Sequence, residues 1–176
     1  MVYLHCHVTS AFLFFLILGR IKELIITAGG ENIAPVPIEE TIKEMLPCIS
    51  NAILIGEKRK YLTCFLTFKV IVDKEKNDVP TDELDSAAID WCISVGSSAT
   101  KVSDILNGLD GNVMAAIQEG IDNANKRAIS RAANVQKWEI LPLDMSVASG
   151  ELGPTLKLKR FFFNQKYADN IDRLYT

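Results

Sequence analysis

The sequence predicts an α+β domain, a small mixed or antiparallel sheet flanked by helices. Two periodicities and a set of breaks predict it. Over residues 62–72, Leu62, Cys64, Leu66, Phe68, Val70 and Val72 recur at every second position, which places them on one face of a strand. Two later stretches carry apolar residues three and four apart, the stripe of an amphipathic helix. Between these stretches stand glycines, prolines and charged clusters that end one element before the next begins. The length of 176 residues suits one domain, and 48% hydrophobic with 23% charged residues excludes wholesale disorder.

Residues 1–18 contain no Lys, Arg, Asp or Glu, and residues 12–18 form an unbroken apolar run. A secretory signal wants a positive start and a small-residue cleavage site, and neither is present. A spanning helix needs about 20 apolar residues. His5, His7, Thr9 and Ser10 interrupt the first half, so the expectation is a strand near residues 11–18. A membrane or targeting segment and a misjoined start are the competing expectations. Residues 1–18 are therefore set apart as an apolar leader, and residues 19–176 as the domain.

Residues 23–27 (ELIIT) read as a short strand ending at Ala28-Gly29-Gly30, a turn signal. Pro35 and Pro37 suit a first helical turn, Ile38, Ile42, Met45 and Leu46 follow at helical spacing, and Pro47 stops the helix. Residues 52–55 make a strand and residues 56–60 (GEKRK) a polar turn into the alternating strand. On that strand Thr63, Thr67 and Lys69 are expected to look outward, giving an antiparallel hairpin over one core. Thr81 is placed to cap a helix whose stripe is Leu84, Ala88, Trp91, Cys92 and Val95, with Gly96 as its stop. Residues 97–111 read as loop with one helical turn near residues 102–106. A helix over residues 112–129 follows, with Val113, Ile117, Ile121, Ala124 and Ala128 as its stripe. Trp138, Ile140 and Leu141 suggest a strand, and a last helix is expected over residues 158–175.

A net charge of −3 argues against a dedicated nucleic-acid binder. Cys6, Cys48, Cys64 and Cys92 form no CxxC pair and lack a histidine spacing suited to zinc, so no metal site is expected. They read as reduced thiols, most of them filling the core.

Three constellations could carry chemistry. Arg20-Ile21-Lys22 puts two cations on one strand face, able to clamp ribose or phosphate oxygens, and Gly29-Gly30 permits a close backbone approach. A hairpin with a solvated basic face accounts for the same residues. The stretch over residues 149–160 is a glycine-rich loop carrying Lys157, whose compact ammonium could bridge a carboxylate and a phosphate in a neighbouring site. A solvated basic cluster before a helix is the plainer account. Lys58-Arg59-Lys60 reads as a soluble hairpin tip that could still attract an anion.

Residues 19–40 (GRIKELIITAGGENIAPVPIEE) and 150–160 (GELGPTLKLKR) resemble the C-terminal domain of AMP-forming acyl-CoA synthetases, within the adenylate-forming enzymes. The best resemblance is to the long-chain, bubblegum-type branch, and residues 51–70 (NAILIGEKRKYLTCFLTFKV) share it. The resemblance implies that Arg20 contacts the ribose or phosphate region of an adenylate and that Lys22 is the hinge between two catalytic poses. It implies that Gly29 and Gly30 meet the pantetheine channel, that Glu39 is structural, and that Lys157 enters the active site for adenylation. The implied reaction joins a long-chain fatty acid to ATP, releasing pyrophosphate, before coenzyme A displaces AMP; Mg2+ accompanies the ATP. The implied partners are the fatty acid, CoA and a large adenylating domain, in the same chain or in trans. The phosphate loop and acyl pocket of that domain are not among these residues, so the chain alone is expected to be inactive. A noncatalytic module that binds CoA or a synthetase is the alternative. The expected location is cytoplasmic, with peripheral membrane contact through residues 1–18 as the other possibility.

Overall fold

A computed structural model describes residues 2–9, 12–20, 24–108 and 110–176. Strands β1 (Val2–Thr9) and β2 (Phe12–Arg20) pair as an antiparallel hairpin, so the expected strand at residues 11–18 is present together with a partner strand before it. Two short strands, β3 (Ile25–Ile26) and β4 (Asn32–Ile33), bracket the glycine turn. Helix α1 (Pro35–Met45) follows, with proline in its first turn where a missing N–H costs nothing. Ile42 and Leu46 are buried in the core beneath it.

The centre is a three-stranded sheet in the order β5-β6-β9. Strand β5 (Ile49–Ile55) runs antiparallel to β6 (Leu62–Phe68), and β9 (Val135–Ile140) joins β6 in parallel. The sheet is therefore mixed, as expected. All seven residues of β6 are buried. Thr63 and Thr67 do not face water as the alternation suggested, because both faces of the sheet are covered. Leu54, Cys64, Leu66 and Phe68 belong to a large core on one face, together with Ile42 of α1 and with Val113, Ile117 and Ile121. Ile53, Ile55 and Phe65 belong to a second core with Leu141, Met145, Leu152, Phe163 and Ile171. On that second face the threonine hydroxyls are satisfied: Thr67 donates to Asp144, and Thr63 to the Tyr175 hydroxyl at 3.2 Å. A buried hydroxyl with a partner is tolerated where an orphan would cost a few kcal/mol, so threonine can occupy an inner face.

The alternating run over residues 62–72 is two strands, not one. The Lys69 N–H donates to the Cys48 carbonyl and its carbonyl accepts from Asp85 N–H, which turns the chain out of the central sheet. Strand β7 (Val70–Asp73) then pairs antiparallel with β8 (Val79–Leu84). Thr81 lies inside β8 and donates to the Ile71 carbonyl at 2.7 Å, so it serves the ribbon rather than a helix. The cap of α2 (Ser86–Ser94) is Asp85, whose carboxylate accepts from Ala88 N–H at 2.8 Å. Cross-strand pairing won over the local capping signal.

Helix α3 (Val102–Gly108) is longer than the single turn expected, because Val102 and Ile105 are buried and anchor it. Helix α4 (Gly111–Asn125) is capped by Asp110, which accepts from Asn112 and Val113 N–H groups. It stops short of residue 129 because the Asn125 side chain turns to hydrogen-bond both the N–H and the carbonyl of Val135. The expected last helix is two, α5 (Arg160–Lys166) and α6 (Ala168–Tyr175), broken at Tyr167. Among the described residues no helix is long and apolar enough to cross a membrane.

Cys48, Cys64 and Cys92 are buried and unpaired. Burial pushes all three thiols up, Cys92 to about 11 with help from the Asp110 charge. In a Cys6→Ser background, a thiol reagent at neutral pH should therefore label the chain only as fast as it unfolds. Rapid labelling of folded protein, followed by absorbance, would contradict this core.

Candidate functional site

Lys157 sits on a short hairpin. Leu152 and Leu158 form an antiparallel bridge, Gly153 N–H donates to the Lys157 carbonyl at 2.8 Å, and Leu156 N–H donates to Gly153 O at 2.8 Å. Pro154 and Thr155 make the turn, and Leu156 adopts a left-handed φ of 57°. A tight turn closed by one left-handed residue is a common three-residue hairpin solution, here with leucine where glycine usually stands. Lys157 and Leu156 are exposed, so the amine is available to an external surface.

Both stems of this hairpin are fastened to the body. On one side Glu151 is only 1% exposed and accepts hydrogen bonds from Lys166, Ser149 and Tyr167. Burial would raise its carboxyl, but these donors outweigh burial and hold it below the usual carboxylate range. On the other side Arg160 Nη2 donates to both oxygens of Glu39, at 2.8 and 2.7 Å. Glu39 also accepts from Leu54 N–H at 2.8 Å, so one buried carboxylate joins α1, β5 and the start of α5. The structural role expected of Glu39 is thus visible. The partnership of Arg160 and the Glu151 cluster were not anticipated. The sequence signal for the cluster is an acidic residue, Glu151, flanked by Leu152 in an otherwise polar loop.

A cleft of about 490 Å³ lies beside the hairpin, walled by Lys157, Arg160, Glu39, Lys43, Asn51 and Ile53. Lys157 therefore shares one concavity with two cations, Arg160 and Lys43, and with the acidic Glu39 and Glu40. A second cleft of about 360 Å³ opens on the other side of Arg160 and reaches Ile25, Gly56 and Glu57. Arg160 lines both.

Gly29 and Gly30 occupy the turn between β3 and β4 and are exposed. Gly30 N–H donates to the Thr27 carbonyl at 2.9 Å, and Thr27 N–H to Glu31 O at 3.1 Å. Gly30 has φ 80°, where a side chain is strained, whereas nothing lies within 4 Å of a Cβ built there. Turn conformation, then, explains this glycine within the domain, and the space above it is open to a ligand. Lys157 lines the 490 Å³ cleft, and neither glycine lines it. Arg20 ends β2, and Lys22 lies outside the described residues. No group of three or more His, Cys, Asp or Glu side chains suited to a metal ion occurs among the described residues.

The family model described as the AMP-binding enzyme C-terminal domain matches residues 22–105. The long-chain-fatty-acid–CoA ligase ACSBG2 of Gallus gallus is 54% identical over 163 residues, 93% of this chain and 21% of that protein. ACSBG1 of Mus musculus is 52% identical over 162 residues, 92% of this chain and 22% of that protein. Over residues 22–105, just under half of the chain, the sequence is similar to the C-terminal domain family of the AMP-binding enzymes. Within it, these relatives are bubblegum-type ligases, and the chain spans about one fifth of their length. The fold of this chain is shared by solved structures. The adenylation domain of a carboxylate reductase from Mycobacterium chelonae gives a TM-score of 0.59 at 21% identity, over 94% of this chain and 21% of that one. The A domain of a carboxylic acid reductase from Segniliparus rugosus, in complex with AMP and a co-purified carboxylic acid, gives 0.60 at 15% identity, over 92% and 21%.

Two outcomes test how the hairpin is held. Glu39→Ala removes the partner of a largely buried guanidinium and of the Leu54 N–H, and should cost about 3 kcal/mol in denaturant unfolding. For Glu151 the folded pKa lies below the unfolded one, so its contribution is present above the unfolded value near 4.5 and is lost as pH falls through the folded value. Glu151→Gln should be less stable than the parent at pH 7, and the gap in denaturation midpoint should close toward pH 3. A gap independent of pH would sink this assignment.

Proposed function

We propose that this chain is the C-terminal lobe of an AMP-forming long-chain-fatty-acid–CoA ligase. The reaction converts fatty acid and ATP to acyl-adenylate and pyrophosphate, and CoA then displaces AMP. The observation that carries the reading is the exposed Lys157 on a hairpin braced at both stems, which suits delivery of an amine to a surface outside this domain. The identity with bubblegum-type ligases over more than nine tenths of the chain supports the substrate class.

As the fatty carboxylate attacks the α-phosphorus, negative charge gathers on the phosphate oxygens. An ammonium already in position stabilises that charge far better in a water-poor cleft than in bulk water. Nucleotidyl transfer depends mainly on positioning and charge neutralisation, which a single placed lysine supplies. Glu39 and Arg160 position it without touching the substrate. In this reading Arg20 contacts the adenylate and Lys22 is the hinge. Gly29 and Gly30 border the pantetheine channel when CoA attacks. That Lys157 lies on the hairpin over residues 152–158 and the glycines on the turn between β3 and β4 supports their use in separate half-reactions, one pose for each. Magnesium enters with ATP on the large adenylating domain. Buried unpaired thiols support a reducing, cytoplasmic setting.

In an intact ligase carrying this domain, Lys157→Ala should slow adenylation by about 10²–10³, the scale of one lost electrostatic contact. Pyrophosphate exchange measures that step. Thioester formation from supplied acyl-adenylate should stay near the parent rate. Equal losses in the two half-reactions would remove Lys157 from the proposed role.

A further inference from the structure

An apolar groove of about 120 Å³ lies between α1 and the turns that follow α4. Strand β4 and α1 contribute Ile33, Pro37 and Ile38, and the end of α4 and the turns after it contribute Ala124, Ala128 and Ala133. Hydrogen bonds fix this second side. Arg127 N–H donates to Ala124 O at 3.0 Å, Ala128 N–H to Asn125 O at 3.1 Å, and Ala133 N–H to Ser130 O at 3.1 Å. The Asn125 side chain, bonded to both the N–H and the carbonyl of Val135, closes the neck of the loop between them. The shape of the groove is thus set by the backbone before any ligand arrives.

The polar groups that line the groove are committed, with one exception. Thr41 donates its hydroxyl to the Pro37 carbonyl at 2.8 Å, and Asn125 is occupied by Val135. Arg127 remains. Its Nη1 meets Glu44 at 3.3 Å in an exposed pair of little worth, and among the described residues its other nitrogens have no partner. Around it, residues 123–138 hold Lys126, Arg127, Arg131 and Lys137 and no Asp or Glu, in a chain of net charge −3. Lys126 donates to the Asn123 side chain at 2.8 Å, and Arg131 is exposed. At the mouth stands Ile129, 91% exposed, which lines the groove yet has almost nothing to pack against.

We infer that this groove binds a free alkyl monocarboxylate, its chain among the alanines, its carboxylate on the Arg127 guanidinium and Ile129 folded over it. Walls without a free donor or acceptor select a hydrocarbon, since a polar ligand would lose its water and gain no hydrogen bond. The guanidinium selects the other end. A carboxylate matches its planar fork at two points, and Glu44 keeps only Nη1. The flanking cations add a positive field that favours an anion. Volume sets the length: an engineered apolar cavity of about 150 Å³ takes up benzene, so a chain of about six carbons fits here. None of these residues has a role in the ligase reading, so either result of the test leaves that reading unaltered.

The test titrates the whole 176-residue chain with hexanoate, hexanol and hexylammonium and follows amide chemical shifts. Hexanoate at millimolar concentration should move the amides of residues 33–41 and 124–133. It should bind about threefold more tightly than hexanol, the scale of one exposed charge pair, and hexylammonium should bind more weakly than either. From butanoate to hexanoate the affinity should rise about fourfold per methylene, and it should level off by decanoate, when the groove is full. Arg127→Gln should erase the preference for hexanoate and leave the hexanol shifts in place. Ile129→Ser should weaken both ligands severalfold, and with the side chain 91% exposed the change spares the fold. The inference is overturned by the absence of shifts, by shifts confined to other residues, or by equal binding of hexanoate and hexanol. An affinity that keeps climbing through decanoate would overturn it as well. Capture of the chain by anionic vesicles through Ile129, without binding of free hexanoate, would assign the loop to a lipid surface and overturn it too.

Discussion

One buried carboxylate organises this domain. Glu39 receives Arg160 with both oxygens and the Leu54 N–H with one of them, and so ties a helix, the central sheet and the entry to the last helical pair. A carboxylate in such a place must be matched by donors, because an unpaired buried charge is far costlier than the pair is stabilising. The constraint works in both directions. Arg160 is held where it separates two clefts, and three residues before it Lys157 leaves the surface from a fixed base. The value of the pair lies in placement more than in net stability.

The sheet explains why that base is rigid. It is covered on both faces, by α1 and α4 on one side and by α5 and α6 on the other. Phe65, Phe163 and Tyr167 pack edge and face within the second core, with Phe163 and Tyr167 centroids 4.6 Å apart. The Lys157 hairpin therefore rests on an aromatic floor that continues into the sheet. The exposed amine is mounted on buried apolar contact.

Much of this was legible in the residues. Strand and helix periods identified an α+β domain with a mixed sheet, and the prolines of α1, the turn at residues 56–60 and the glycine turn were read correctly because each obeys local backbone rules. What was misread depended on distant partners. Thr63 and Thr67 look like solvent positions until Asp144 and Tyr175, far along the chain, supply their hydrogen bonds. Thr81 looks like a cap until Ile71 claims its hydroxyl. The roles given to Lys157 and Gly30 came from resemblance to a family, since a lysine in a polar loop and a glycine at a turn have ordinary explanations. Arg160 stood in the quoted motif, yet nothing in the sequence said that its partner lay 121 residues earlier.

The final helix has a quieter role. Tyr175 donates its hydroxyl to the carbonyls of Ile55 and Tyr61, the Leu174 carbonyl accepts from the Tyr61 hydroxyl, and Asp172 holds Arg59. The closing residues of α6 are thus a strut beneath the tip of the β5–β6 hairpin. An affinity tag or reporter joined directly after Thr176 would lean on that strut, so its disturbance would surface at the far loop, beside the glycines, rather than where the label was attached.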